Sequence, residues 1–259
     1  MAPGKTLRLR SAALTHVGLR RAKNEDCIAI DTKIISESMM EPWVTLQTLD
    51  RPRICLVADG MGGHPAGDVA SRLATEHMSA RFAELGTDEH AIVAAIHGAN
   101  RALFTQMARS PSCYGMGTTL AGVVAHANGL TLLNVGDSRI YSFHLGKLDQ
   151  LSIDDSIELG TATVSSRAPA RMLDQCLGGF ADGSEIEPHL VHLELAEGRT
   201  FLICSDGLHD MISDRDIEAC LGDDLERSVS LLFEAAMERG GIDNISVIYT
   251  RIERTEAVE

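Results

Sequence analysis

Three short apolar runs in this chain each end on an aspartate, and a fourth begins just after one. Ile54-Cys55-Leu56-Val57-Ala58 leads into Asp59-Gly60. Leu132-Leu133-Asn134-Val135-Gly136 leads into Asp137, and Phe201-Leu202-Ile203-Cys204-Ser205 leads into Asp206-Gly207. Asp243-Asn244 precedes Ile245-Ser246-Val247-Ile248. Runs of this length and content read as buried strands. An acid before one strand and an acid after its antiparallel neighbour fall at the same edge of a sheet. The pattern therefore calls for a sheet with four acids gathered along one edge.

The rest of the chain fits antiparallel sheets with helices packed outside. Cys27 to Asp31 reads as a short strand, and residues 33–53, with Pro42 and Pro52, as a loop or hairpin insertion. Val69, Leu73, Ala74, Met78, Phe82 and Leu85 recur at helical spacing over 66–86, with Gly86 as the stop. Thr87 is the expected cap of a second helix, with Asp88 and Glu89 in its first turn and Ile92, Ala95, Ile96, Ala99 and Leu103 as its buried stripe. Thr119 to Ala125 and Leu130 to Val135 form a hairpin at Asn128-Gly129. Arg139 to Phe143 follows, with a turn at Gly146. Residues 152–188 are the least regular part, with one short helix expected near 170–177. Strands resume at Leu190 to Leu195 and Thr200 to Cys204. Helices follow at 214–221 and 225–239, then a last strand at Ile245 to Arg251. The helices are grouped rather than alternating with strands, which argues against a doubly wound parallel sheet.

Composition removes several function classes. With 23 Lys+Arg against 37 Asp+Glu the net charge is −14, and no basic run offers a nucleic-acid face or a seat on an anionic membrane. The unbroken apolar run 54–58, like every other in the chain, is far short of the roughly 20 residues that span a bilayer. The N-terminal segment (Lys5, Arg8, Arg10, then Ala12-Ala13-Leu14) has too little apolar sequence for a signal peptide, so a cytoplasmic protein is expected. The six cysteines lack any Cys-x-x-Cys spacing and read as buried reduced thiols. None is followed six positions later by Arg, which excludes the Cys-x5-Arg loop of thiol-based phosphoester chemistry.

The acids carry the chemistry. Convergent carboxylates repel one another and are costly to desolvate. A hard dication resolves both problems, and oxygen-only ligands select Mg2+ or Mn2+ over Zn2+. One Asp-Gly at a strand end is an ordinary turn. Four acids at the ends of four apolar runs exceed that explanation. Glu25 and Asp26 add two more just before the Cys27 strand. Arg21, three residues before Asn24, is either a solvated surface group or a fork for phosphate oxygens.

Taken in order, Arg21-x-x-Asn24-Glu25-Asp26, Asp59-Gly60-Met61-Gly62-Gly63-His64, Gly115-Met116-Gly117-Thr118-Thr119, Gly136-Asp137-Ser138-Arg139, Ser205-Asp206-Gly207-Leu208 and Asp243-Asn244 resemble the metal-dependent protein phosphatases of type 2C. The resemblance covers about 11–251, and the Asp-Gly-Met-Gly-Gly-His form resembles the stand-alone bacterial branch. It implies an α+β fold, a four-layer αββα sandwich of two antiparallel sheets flanked by helices. It implies one phosphatase domain over 1–259 and hydrolysis of phosphoserine and phosphothreonine in proteins by a hydroxide bridging two Mn2+ or Mg2+ ions. By match, Asp59 bridges both ions, the Gly60 carbonyl binds one, and Asp206 and Asp243 are further ligands. Glu25 and Asp26 hold metal-bound waters. Asp137, with Asp206 and Asp210, matches a third, weaker ion site. Arg21 holds the phosphoryl oxygens, and His64 is the candidate to protonate the leaving oxygen, although other branches place their histidine where this chain has Met61. The implied partners are phosphorylated proteins and an opposing Ser/Thr kinase, for a monomeric signalling enzyme. A small-phosphoester hydrolase and a non-catalytic pseudophosphatase module are the alternatives.

Gly115, Gly117 and Gly136 read as backbone devices for close approach rather than as ligands. The chain departs from the family in two places. Leu151-Ser152-Ile153-Asp154-Asp155-Ser156 stands where the family often has Asp-His-Ser, and the flap segment, within 152–188, is shorter than usual. The loop at 33–53 is longer than usual, and is either a partner surface or tolerated length.

Overall fold

The computed structural model describes residues 7–61, 66–82, 88–126, 128–159, 170–179 and 186–254. In chain order the first strands are β1 (Leu7–His16), β2 (Cys27–Ile30), β3 (Lys33–Ile35), β4 (Trp43–Thr48), β5 (Arg53–Ala58) and β6 (Gly60–Met61). Helices α1 (Gly67–Phe82) and α2 (Glu89–Arg109) follow. Next come β7 (Gly117–Thr118), β8 (Leu120–His126), β9 (Gly129–Val135), β10 (Arg139–His144), β11 (Lys147–Gln150), β12 (Ser156–Leu159), β13 (Ala170–Leu173) and β14 (Leu177–Gly178). Then come β15 (His189–Leu193), β16 (Thr200–Cys204), α3 (Asp206–His209), α4 (Asp214–Cys220), α5 (Leu225–Glu238) and β17 (Ile245–Arg254).

Two six-stranded sheets, ordered β11-β10-β16-β17-β1-β4 and β15-β9-β8-β5-β2-β3, stack face to face. Period-two alternation divides each central strand between two cores. On β5, Cys55 and Val57 join Ile28, Val123, Ile203 and Ile248 between the sheets. Ile54, Leu56 and Ala58 face outward onto Ala74, Met78, Ile96 and Leu103 of α1 and α2. On β17, Ile245, Val247 and Tyr249 pack outward on Leu225, Val229 and Leu232 of α5. Helices on both outer faces complete the αββα sandwich. Strands buried on both faces favour apolar residues at successive positions, which is why Ile54 to Ala58 and Phe201 to Cys204 stand out in the sequence. Each fully buried Leu or Ile among them contributes about 1.5–3 kcal/mol.

Several expectations need correcting. Residues 33–53 hold two ordered strands: β3 pairs with β2 at the edge of one sheet, and β4 pairs with β1 at the edge of the other. The helix expected near 170–177 is not formed. Residues 170–173 are β13, paired with β12, and 177–178 are β14, paired with β7. The expected cap Thr87 lies outside the described residues. Asp88 is the N-cap of α2, its Oδ1 accepting from the Ala91 amide at 2.9 Å. The N-terminal basic stretch, not anticipated as a strand, is β1, seated between β17 and β4. Its inward hydroxyls are satisfied across the ladder, Ser11 with Thr250 and Thr15 with Ser246, both at 2.8 Å.

The six cysteines are free, four of them buried, and burial pushes Cys27 up to about 11 and Cys55 up to about 12. Among the described residues no helix is long and apolar enough to cross a membrane.

Candidate metal centre

The ladder registers bring the acids together. Cys27 pairs with Ala58, so Asp26 and Asp59 adjoin at one sheet edge. Leu120 pairs with Val135, which brings Thr119 beside the Gly136-Asp137 corner. In the other sheet Cys204 pairs with Val247, and His16 with Ile245, so Asp206, Asp243 and the Arg21 loop leave at the matching edge. Stacking closes the gap between the sheets: Ser205 Oγ donates to Asp26 Oδ2 at 2.8 Å. Arg21 Nη2 donates to Asp243 Oδ2 at 2.5 Å.

Backbone bonds hold the edge in place. The Asp59 amide donates to Thr119 Oγ1 (3.0 Å), and its carbonyl accepts from Thr118 Oγ1 (2.8 Å) and the Thr119 amide (2.9 Å). Asn244 Oδ1 accepts from the Glu25 amide at 2.8 Å, and its Nδ2 donates to the Val17 and Lys23 carbonyls. The Gly60 amide donates to the Glu25 carbonyl at 3.2 Å. A Cβ on Gly60 would lie 2.3 Å from the Gly67 carbonyl oxygen. A Cβ on Gly207 would lie 1.9 Å from the Asn244 carbonyl oxygen. Gly207→Ala must therefore push α3, with Asp206, away from the Asp243-Asn244 turn. The expected result in chemical denaturation is a stability loss of about 1–3 kcal/mol or more.

Electrostatics mark the same place. Burial first, then the charges of Asp26, Asp206, Asp243 and Asp137, hold Asp59 well above the usual carboxylate range. Burial and then Asp137, Asp243 and Asp26 push Asp206 up to about 8. Asp26, fully buried, is raised to about 6, with the hydroxyls of Ser246 and Ser205 opposing the rise. Burial also raises Asp137, opposed by His209. Glu25 is raised by burial and Asp68, and lowered by Arg21 and Lys23. The chain assembles repelling charge at a cost it does not itself relieve, as a site for cations does.

The donors fit divalent cations. Asp26 Oδ1 and Asp206 Oδ1 are buried with no hydrogen-bond partner among the described residues, and both are hard oxygen donors. Among the described residues no three acids, histidines or cysteines form a ready ligand shell.

Of the residues singled out in the sequence, Arg21, Glu25, Asp26, Asp59, Gly60, Asp137, Asp206 and Asp243 gather at this edge. Asp210 lies one turn beyond Asp206, its Oδ1 3.4 Å from His209 Nδ1. His64, with Gly62 and Gly63, lies outside the described residues. Gly115 and Gly136 have positive φ (76° and 97°), and a Cβ on Gly117 would meet Met61 Cε at 2.8 Å, in keeping with their reading as backbone devices. Sequence reasoning missed Thr118, Thr119, Ser205, Asn244 and His209 as supports. His209, its side chain fully buried, donates from Nε2 to the Asp137 carbonyl at 3.1 Å. Ser205, Asn244 and His209 carry one signal, each being polar within three residues of a strand-end acid, whereas Thr118 and Thr119 have no acid near them in the sequence.

An αββα sandwich with an acid-lined, Arg-flanked edge defines a class of metal-binding phosphoester sites. The sequence profile of the family Protein phosphatase 2C matches residues 43–243, and the chain belongs to that family. It is similar to the serine/threonine protein phosphatase PstP of Mycobacterium tuberculosis, 34% identical over 94% of this chain; the chain spans 45% of that protein's length. The serine/threonine phosphatase stp of Listeria monocytogenes is 30% identical over 80% of this chain and 87% of its own. The catalytic domain of PstP, solved in complex with two manganese ions, superposes with a TM-score of 0.75 at 32% identity, over 96% of this chain and all of that one.

Proposed function

We propose that this chain is a metal-dependent phosphatase that removes phosphate from phosphoserine and phosphothreonine in proteins. The observation that carries the reading is the gathering of Asp26, Asp59, Asp137, Asp206 and Asp243 beside Arg21 at one edge of the sandwich. The relatives named for serine/threonine phosphatase activity, and the two manganese ions bound by PstP, support it.

In this reading Asp59, the Gly60 carbonyl, Asp206 and Asp243 hold two Mn2+ or Mg2+ ions, and Asp137 and Asp210 with Asp206 hold a third more weakly. When bound, such ions lower the pKa of a water and neutralise charge on the phosphoryl group. Glu25 and Asp26 orient water through their carboxylates, and Ser205 fixes Asp26 in turn. Arg21 binds the phosphoryl oxygens as a fork, and its pairing with Asp243 keeps it at the acids until substrate arrives. His64 is the proposed donor of a proton to the serine or threonine oxygen that leaves. The enzyme acts as a monomer in the cytoplasm, where its free thiols stay reduced, against a Ser/Thr kinase.

The test is phosphate release by purified protein from phosphoserine and phosphothreonine peptides, an aryl phosphate and a nucleotide panel, with Mn2+ and with EDTA. Metal-dependent release from the peptides is the expected result. No release from any phosphopeptide with Mn2+ present would overturn the reading. Arg21→Ala should raise KM for phosphopeptides by about tenfold or more while kcat falls less, as expected for a group that binds substrate in ground and transition states alike. A fall confined to kcat would reassign the residue.

A further inference from the structure

One half-buried carboxylate outside this ligand set ties several elements to the acid edge. Asp155 Oδ2 accepts from the Gly136 amide at 2.8 Å and from Gln175 Nε2 at 2.9 Å. Its Oδ1 lies 2.7 Å from His189 Nε2. Its own amide donates to the Gly136 carbonyl at 3.0 Å, and its carbonyl accepts from the Asp174 amide at 2.8 Å. Gln175 reaches on to the Glu187 backbone at both ends of its amide, 2.6 and 3.1 Å. Asp155 thus grips both polar groups of Gly136, the left-handed residue (φ 97°) that turns the chain into Asp137. It also stands at the base of the β12–β13 hairpin, whose first pair is Ser156 with Leu173.

Three donors converge on one carboxylate, within its capacity of about four lone-pair sites. Alanine here would take from the Gly136 N–H and the His189 Nε2 their carboxylate partner, and leave Gln175 only its bonds to the Glu187 backbone. Among the described residues the Asp155 carboxylate is the one side-chain acceptor for the Gly136 N–H, so without it Asp137 would lose its register against Asp206.

We propose that Asp155 is a positioning residue that locks the corner carrying Asp137 to the base of the β12–β13 hairpin, setting affinity at the weakest ion site and the presentation of protein substrates. The proposal rests on the function argued above. Its mechanism is a pattern of hydrogen bonds and not a charge. An Asn at 155 keeps the pattern: its oxygen accepts from Gly136 and Gln175, and its amide donates to His189 Nε2 when the ring carries its proton on Nδ1.

The experiment compares wild type, Asp155→Ala and Asp155→Asn by Mn2+ titration calorimetry of EDTA-stripped protein, and by kinetics on a phosphothreonine peptide and an aryl phosphate. Asp155→Ala should weaken the last Mn2+ to bind by about tenfold and lower kcat/KM for the peptide by about as much or more, with a smaller loss on the aryl phosphate. Asp155→Asn should stay within about threefold of wild type in both measurements. If Asp155→Ala does not fold, Gln175→Ala and His189→Phe each remove one of the bonds to Asp155 and should shift both readouts in the same direction by less. An Asp155→Ala protein, or failing that a single-bond pair, with wild-type isotherm and substrate ratio overturns the proposal. So does an Asp155→Asn protein as impaired as the alanine variant. Wild type that binds Mn2+ but releases no phosphate would sink the phosphatase reading, and the isotherms would still decide the positioning of Asp137.

Discussion

Asp59→Asn should lower phosphate release from a phosphothreonine peptide by about a thousandfold, the several kcal/mol of transition-state stabilisation that divalent ions supply. The same variant should fold, and in EDTA it should melt higher than wild type. Both halves follow from one geometry. Asp59 sits amid Asp26, Asp206, Asp243 and Asp137, and burial with their repulsion holds its carboxyl well above the usual range. An amide of the same shape removes the charge that repels its neighbours and would bind cations. The backbone bonds to Thr118 and Thr119 do not involve the side chain, so the corner stays in place. Turnover at saturating Mn2+ and the melting temperature in EDTA check the two halves separately. Comparable turnover in the variant would remove the ground for assigning metal ligands here.

The second large effect is an inverted pH dependence of stability in the metal-free protein. Asp26 titrates at about 6 and Asp206 at about 8, both above the 3.8 of a free aspartate, because burial and neighbouring carboxylates disfavour their charged forms. The folded protein then holds these protons more tightly than the unfolded chain. Their contribution to stability is complete below the unfolded value and is lost as pH rises through 6 and then 8. Each unit of upward shift corresponds to about 1.4 kcal/mol of penalty on the charged form. EDTA-treated protein should therefore melt progressively lower from about pH 5 to about pH 8, whereas a protein stabilised by ordinary salt-bridged carboxylates has reached their full contribution by about pH 5 and stays level above it. Saturating Mn2+ should flatten the slope by offsetting the repulsion. Melting curves across that interval, with and without Mn2+, measure both. A flat profile in EDTA would show that the acids do not interact as their placement demands.

The strands buried on both faces were plain in the sequence because such positions tolerate few polar residues. Val57 and Leu56 face different cores, yet both must be apolar. β1 was hidden for the converse reason. Its inward Ser11 and Thr15 look like surface residues until Thr250 and Ser246 stand opposite them. Ala170 to Leu173 is made largely of good helix formers, and pairing with Ser156 to Leu159 overrides that local preference. Pro42 and Pro52 suggested an irregular insertion at 33–53, but the prolines lie outside β3 and β4 and leave both strands free to pair.

The candidate site divides along the same line. Which acids gather, and that they share an edge, follows from their position at the ends of apolar runs, since alternation and antiparallel pairing act over short range. How Asp26 meets Ser205 across the sandwich, how His209 reaches the Asp137 carbonyl, and how Asp155 comes to hold the Gly136 corner depend on elements far apart in the chain. A linear sequence records a side chain's chemistry and its local period. The partner that satisfies a buried polar atom is chosen only when the two sheets stack, because stacking excludes the water that would otherwise have served.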